Sequence, residues 1–146
     1  MNKLILVFVL TILVGCAAPT PRIAETASGL PEVLLPASVS TTAVHDVILE
    51  SMVAAGCRVD IDTGSTITVS RQMKPSEEAG KQFVYGGQSG TFRDEVSFTI
   101  VKVNNGVKVF AQPAWSRSVK GQRIQEQKDG NEDFNLWQTL LLQLRR

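Results

Sequence analysis

Two cysteines and one histidine are all that this 146-residue chain holds of the residues that most often ligate transition metals. A lone histidine cannot complete a tetrahedral zinc shell, and the two cysteines do not help it. Charge of one sign is missing as well, since 15 Lys and Arg stand against 14 Asp and Glu. No basic patch of the kind that drives nucleic-acid binding is present, and no acidic tail. The apolar run near the start, Leu4–Ile12, is about half of the ~20 residues that a membrane-spanning helix needs.

What is there begins at the first residue. Met1-Asn2-Lys3 is a short basic head, LILVFVLTI is the apolar core, and small residues follow, the marks of a secretory signal. An ordinary signal leaves no cysteine at its junction, whereas Leu13-Val14-Gly15-Cys16 resembles the bacterial lipobox. The resemblance implies that the Cys16 thiol receives a diacylglyceryl group, that residues 1–15 are removed and that the new amine is acylated. One acyl chain holds a membrane marginally and two signals hold it stably, so such an anchor would be permanent. Ala17 stands where enterobacterial sorting rules place Asp for inner-membrane retention. The resemblance therefore implies the outer membrane, with the domain facing the periplasm. Removing Lys3 leaves 14 basic residues (15 − 1) against 14 acidic ones, a neutral mature chain. With Cys16 acylated, Cys57 has no disulfide partner within the chain. It falls in line with Val59 and Ile61 at period two and is expected as a small buried apolar residue, the alternative being a reactive or bridging thiol.

Residues 16–31 are rich in Ala, Pro, Ser and Thr and read as a flexible tether, leaving residues 32–146 as a single domain. Val33–Leu35 is a candidate first strand. Val44, Val47, Ile48, Met52 and Ala55 fall at helical spacing, with Ser40, Thr41 or Thr42 to cap the start and Gly56 to end it. The period then changes to two. Cys57, Val59 and Ile61, a turn at Asp62-Thr63-Gly64-Ser65, then Ile67 and Val69 predict a hairpin. Gln72–Gly90 is expected as a polar, glycine-rich stretch with a short strand around Phe83 and Tyr85. Val96, Phe98 and Ile100, then Asn105-Gly106, then Val107 and Val109 predict a longer hairpin, with positive backbone angles at the Asn-Gly turn. Ser116–Gly130 is expected as a charged loop. A closing helix follows, capped by Asn131, with Glu132 and Asp133 in its first turn and a stripe of Phe134, Trp137, Leu140, Leu141 and Leu144. These elements predict an α+β fold: an antiparallel sheet of four to five strands with two helices packed on one face.

Asp62-Thr63-Gly64-Ser65 resembles the active-site motif of aspartic proteases, and Tyr85-Gly86-Gly87 is similar to their flap. That chemistry needs two carboxylates sharing one proton, so the chain would have to dimerise. The surroundings argue for a plain turn instead. A helix precedes the motif by one short strand, and Lys128-Asp129-Gly130 replaces the two apolar residues and Gly of the family. A calcium loop through Asp60, Asp62 and Gly64 fails because Arg71 stands where the bidentate Glu belongs. Gly86–Gly90 lacks the Lys-Ser/Thr of a phosphate loop. His45 is expected as a solvated or capping residue, since a triad would need it beside Ser89. No catalytic residue, metal or cofactor is expected.

Signal, lipobox and element order together resemble the helix-grip domains of BamC-type outer-membrane lipoproteins, with most of the likeness in the first helix, Gly56, Val59, Asp60 and Thr66. The resemblance implies an accessory or docking role beside an envelope protein partner. Tyr85, Phe92 and Trp115 are the contact candidates for such a partner or for a second copy, with packing under the sheet as the equal alternative for Trp115. The alternatives are a sheet-and-helix cleft for lipid or cell-wall fragments, and the dimeric protease through Asp62-Thr63-Gly64.

Overall fold

The alternations on either side of Asn105-Gly106 become two long central strands, β4 (Thr91–Val103) and β5 (Gly106–Val119). The computed structural model describes residues 20–84, 90–128 and 130–145. The expectations for the signal, Cys16, Tyr85–Ser89 and Asp129 fall outside the described residues. Val96, Phe98 and Ile100 pair with Pro113, Ala111 and Val109, and all six are buried on one face. Asn104 and Asn105 make the turn with ordinary negative φ. Only Gly106 takes a positive angle, 154°, so the expected positive angle at Asn105 is corrected.

Around this hairpin the sheet runs β1 (Glu32–Pro36), β5, β4, β3 (Thr66–Gln72), β2 (Arg58–Asp62), antiparallel throughout. β6 (Gln122–Gln127) shares the β1 edge of β5, beyond the stretch that β1 occupies. Thr63–Ser65 is the predicted turn, with Gly64 at φ +76°. Ile61 does not follow Cys57 and Val59 inward. A bulge at Asp60 shifts the register, Val59 opposing Val69 and Ile61 opposing Thr68, and Ile61 is left exposed.

The antiparallel α+β class is as expected, but the sheet has six strands and three described helices, α1 (Thr41–Ala54), α2 (Pro75–Val84) and α3 (Asn131–Gln143). β6 replaces the expected charged loop. QRIQEQ has one apolar residue and no alternation, so its pairing comes from the β5 backbone edge. Lys120 and Gly121, at φ +50° and +80°, close the two-residue hairpin. Arg123 and Gln125 fasten β6 by bonding the buried Glu95 carboxylate, which also accepts from Ser116. α2 replaces a polar stretch and its expected strand. Pro75 opens it, Glu77 and Glu78 occupy its first turn and Lys81 its last, each at the end of the helix that suits it.

α1 is capped by Ser40, whose hydroxyl accepts from the Ala43 amide at 3.1 Å, and Gly56 follows it at φ +80°. α3 begins after Gly130, which has no side chain with which to cap. Asn131, expected as the cap, spends its amide elsewhere: it donates to the Thr20 carbonyl and accepts from Arg22 Nε, both at 2.9 Å. One turn on, Asn135 donates to the Pro21 carbonyl and accepts from the Ile23 amide, both at 2.8 Å. Gln138 holds both the amide and the carbonyl of Glu32 at 2.9 Å. The Arg22 guanidinium lies over the Phe134 ring, 4.5 Å from its centre. From Thr20 on, the segment read as a free tether is thus strapped along α3. Among the described residues, no helix is long and apolar enough to cross a membrane.

Candidate functional site

α1 and α3 lie on the same face of the sheet and bury their stripes side by side. Val44 and Ile48 from α1 and Leu141 from α3 enter one core with Leu35, Val69, Phe98 and Val109. Between the two helices a trough of about 450 Å³ remains, floored by Leu35 and Phe98. Val39, Val47 and Met52 form one wall, and Trp137, Leu140 and Leu144 the other, with Ser51 and Gln143 as the polar exceptions. Trp137 stands edge-on to Phe98, ring centres 5.7 Å apart. Val47 is 48% exposed and Leu140 36%, so the helical stripes read as core are wider than the core that receives them.

Beside the trough, and sharing Ser51, Met52, Trp137 and Leu140 with it as lining, lies a second cavity of about 930 Å³. This one is charged. Arg71 Nη2 meets Asp94 Oδ2 at 3.2 Å, Lys128 Nζ meets Asp94 Oδ1 at 3.0 Å and Asp133 Oδ1 at 3.3 Å. Lys81 lies over the Trp115 ring at 4.6 Å, and Glu77 completes the rim. Burial works against the Lys128 charge, but Asp94 and then Asp133 outweigh it and hold the ammonium above its usual range. Cys57 also lines this basin, and burial pushes its half-buried thiol up, away from reactive thiolate. The result is an apolar trough set side by side with a basin of mixed charge.

The contact candidates lie elsewhere than expected. Phe92 and Trp115 are 0% and 3% exposed and pack together with Met73, ring centres 5.8 Å apart. Both are in phase with the inward residues of their strands, Phe92 with Val96 and Phe98, Trp115 with Val109 and Ala111, and strand geometry turns them inward. Phe92 is therefore corrected from surface contact to core, and of the two readings of Trp115 the one under the sheet holds, with its ring reaching the basin. Tyr85 and Cys16 lie outside the described residues.

Asp62 ends β2, and its carboxylate accepts from the Gly64 amide at 3.1 Å in a local turn. His45 Nε2 lies 2.8 Å from the same Asp62 Oδ1, and its Nδ1 3.1 Å from Asp46. His45, expected as a solvated or capping residue, instead joins α1 to the β2–β3 turn. The bond from His45, then that from the Gly64 amide, holds Asp62 below the usual carboxylate range. Asp62, then Asp46, raises the imidazole above its ordinary range. Asp60, the other supposed calcium ligand, is engaged by Arg58 at 2.6 Å. Among the described residues, no three His, Cys, Asp or Glu side chains gather as metal ligands.

The His45–Asp62 pair predicts a pH dependence. A raised imidazole adds stability that is full below its ordinary value of 6.5 and is lost as pH rises through the folded value. The depressed Asp62 adds stability that is full above 3.8 and is lost as pH falls through its folded value. The melting temperature of wild type minus that of His45→Gln is thus larger at pH ~5.5 than at pH ~9. An equal difference at both values would show that no proton is linked to this contact.

Comparison with known proteins adds no relative: no family model, no curated protein and no solved structure matches the chain.

Proposed function

We propose that the chain is a non-catalytic lipoprotein, anchored through Cys16 in the outer membrane, that binds an amphiphile of the lipid class in the α1–α3 groove. The observation that carries the reading is the adjacency of the apolar trough and the charged basin, which share Ser51, Met52, Trp137 and Leu140 as lining. A trough of about 450 Å³ lies within the roughly 300–1,000 Å³ of small-molecule sites. Its walls suit an acyl chain, gaining about 0.8 kcal/mol for each methylene buried. The basin sets Arg71, Lys81 and Lys128 among Glu77, Asp94 and Asp133, which suits a zwitterionic headgroup rather than a purely anionic one.

The periplasm-released Cys16→Ala protein, carrying Trp115→Phe so that Trp137 is the only indole, tests this with a brominated lysophosphatidylcholine below its micelle concentration. Saturable quenching of Trp137 is expected. Val47→Glu with Leu140→Glu, both at exposed rim positions, should weaken binding by about tenfold or more, the equivalent of ~1.4 kcal/mol of lost apolar contact. A folded protein whose Trp137 is not quenched would reject the reading.

A second reading, docking of an envelope protein partner, is favoured by the rim itself, where Val47, Leu136 and Leu140 remain exposed beside the groove. Crosslinking in intact cells distinguishes the two. A stoichiometric partner lost on Val47→Glu selects protein docking.

A further inference from the structure

Three residues, Ala17, Ala18 and Pro19, separate Cys16 from Thr20, the first residue strapped to α3. Four Cα steps span at most ~14 Å, whereas the same chain free to Pro31 would reach ~50 Å. The strap is held by a ladder of amide side chains at Asn131 and Asn135, each pairing with a donor and an acceptor of the extended segment. The ladder stands at the N-terminal end of α3. That is also the basin end of the groove, lined by Gln127, Lys128, Gly130 and Asp133, whereas Leu141, Gln143 and Leu144 of the trough lie at the other end of the helix.

From this juxtaposition we infer that the strap docks the domain against the bilayer with its charged basin toward the lipid headgroups, so that the groove takes its ligand from the membrane in which the protein is anchored. The inference rests on the anchor and groove reading above and adds orientation and source to it. An acyl chain enters the trough tail first, away from the bilayer, and its headgroup stays at the basin beside Lys128 and Asp133. Without the strap, the same anchor would leave the domain free to turn any face to the membrane.

The test uses the full lipidated protein, reconstituted in phosphatidylethanolamine vesicles with a headgroup acceptor dye. With Cys57→Ser in place, a donor dye is attached at Glu132→Cys or at Arg145→Cys, exposed positions near opposite ends of α3. The helix is ~20 Å long, so transfer from position 132 should exceed that from position 145 by roughly twofold. Asn131→Ala with Asn135→Ala should erase the difference. A Gly/Ser spacer of ~12 residues inserted after Pro19, ahead of the strap, should reduce it by lengthening the free leash. Equal or reversed transfer in protein whose Cys16 acylation is confirmed by intact mass overturns the orientation and leaves the anchor standing. An unacylated Cys16 overturns the anchor, and the orientation with it.

Discussion

Gly106→Ala is expected to unseat β1 and lower stability by about 3 kcal/mol or more. A Cβ at Gly106 would lie 1.9 Å from the Leu35 carbonyl oxygen, 3.1 Å from its carbon and 3.3 Å from the Pro36 carbonyl carbon. These are backbone atoms of the paired strand, so no side-chain rotation relieves the overlap. β1 must separate from β5, and it carries Val33 and Leu35, each 2% exposed, the latter being the floor of the trough. A fall in melting temperature of more than ~10 °C by circular dichroism is the expected reading. Gly64→Ala is the control. Its φ of +76° is also unfavourable for a side chain, but nothing lies within 4 Å of the added Cβ, and a cost of about 1 kcal/mol is expected. Equal effects at the two glycines would refute the close approach.

Gln138→Leu should cost about 2–4 kcal/mol although it replaces a polar residue in a buried site by an apolar one. The Gln138 side chain is 4% exposed, and its amide satisfies both backbone groups of Glu32 on the outer edge of β1. Leucine fills the space and strands a donor and an acceptor together. Gln138→Glu separates the two roles. A carboxylate still accepts from the Glu32 amide but faces the Glu32 carbonyl with nothing to donate, so most of the loss should remain. Hydrogen exchange at the Glu32 amide reads the contact directly, with protection lost in Gln138→Leu and partly kept in Gln138→Glu. Because Gln138 fixes α3 to β1, Gln138→Leu should also loosen the groove. Melting within ~2 °C of wild type would show that water replaces the amide at no cost.

The elements read correctly from sequence are those whose own side chains specify them. β4 and β5 alternate strictly through Val96, Phe98, Ile100, Val107 and Val109, and their register follows, because a slip of one residue would turn every one of those side chains to solvent. α1 was legible from Val44 and Ile48 between a Ser40 cap and Gly56. β6 escaped a reading based on apolar period because it has one apolar residue, and α2 because its few apolar residues, Ala79, Phe83 and Val84, make too short a stripe. Their signals were local, Lys120-Gly121 for the hairpin and Pro75 with its flanking charges for the helix. Ile61 went wrong for a different reason: a bulge at Asp60 adds one residue to one strand alone, and alternation cannot register it.

The candidate site was less legible than the fold. Trp137, Leu140 and Val47 belong to stripes that a sequence reading assigns to the core, and whether such a residue is core or groove wall depends on the gap between two helices, which neither helix encodes. Phe92 was taken for a surface contact and Trp115 for either a contact or a residue under the sheet, although extending the alternation four residues back from Val96 and six on from Val109 turns both inward. The polar stripe of α3, Asn131, Asn135 and Gln138, recurs on one face of the helix, yet only the arrival of Thr20–Ile23 and Glu32 gives it a purpose.

By itself, the sequence determined the antiparallel α+β class, the central hairpin, the first and last helices and the near-neutral charge, since each depends on periodicity, caps or composition within a short window. Only the tertiary structure decided that the inner faces of α1 and α3 leave a trough, that Asp94 can sit among inward-facing residues because Arg71 and Lys128 meet it there, that His45 closes on Asp62, and that the presumed tether is strapped down. The physical reason is common to all four: each rests on contacts between segments far apart in the chain. No local pattern carries the distance between two elements that meet only when the chain folds.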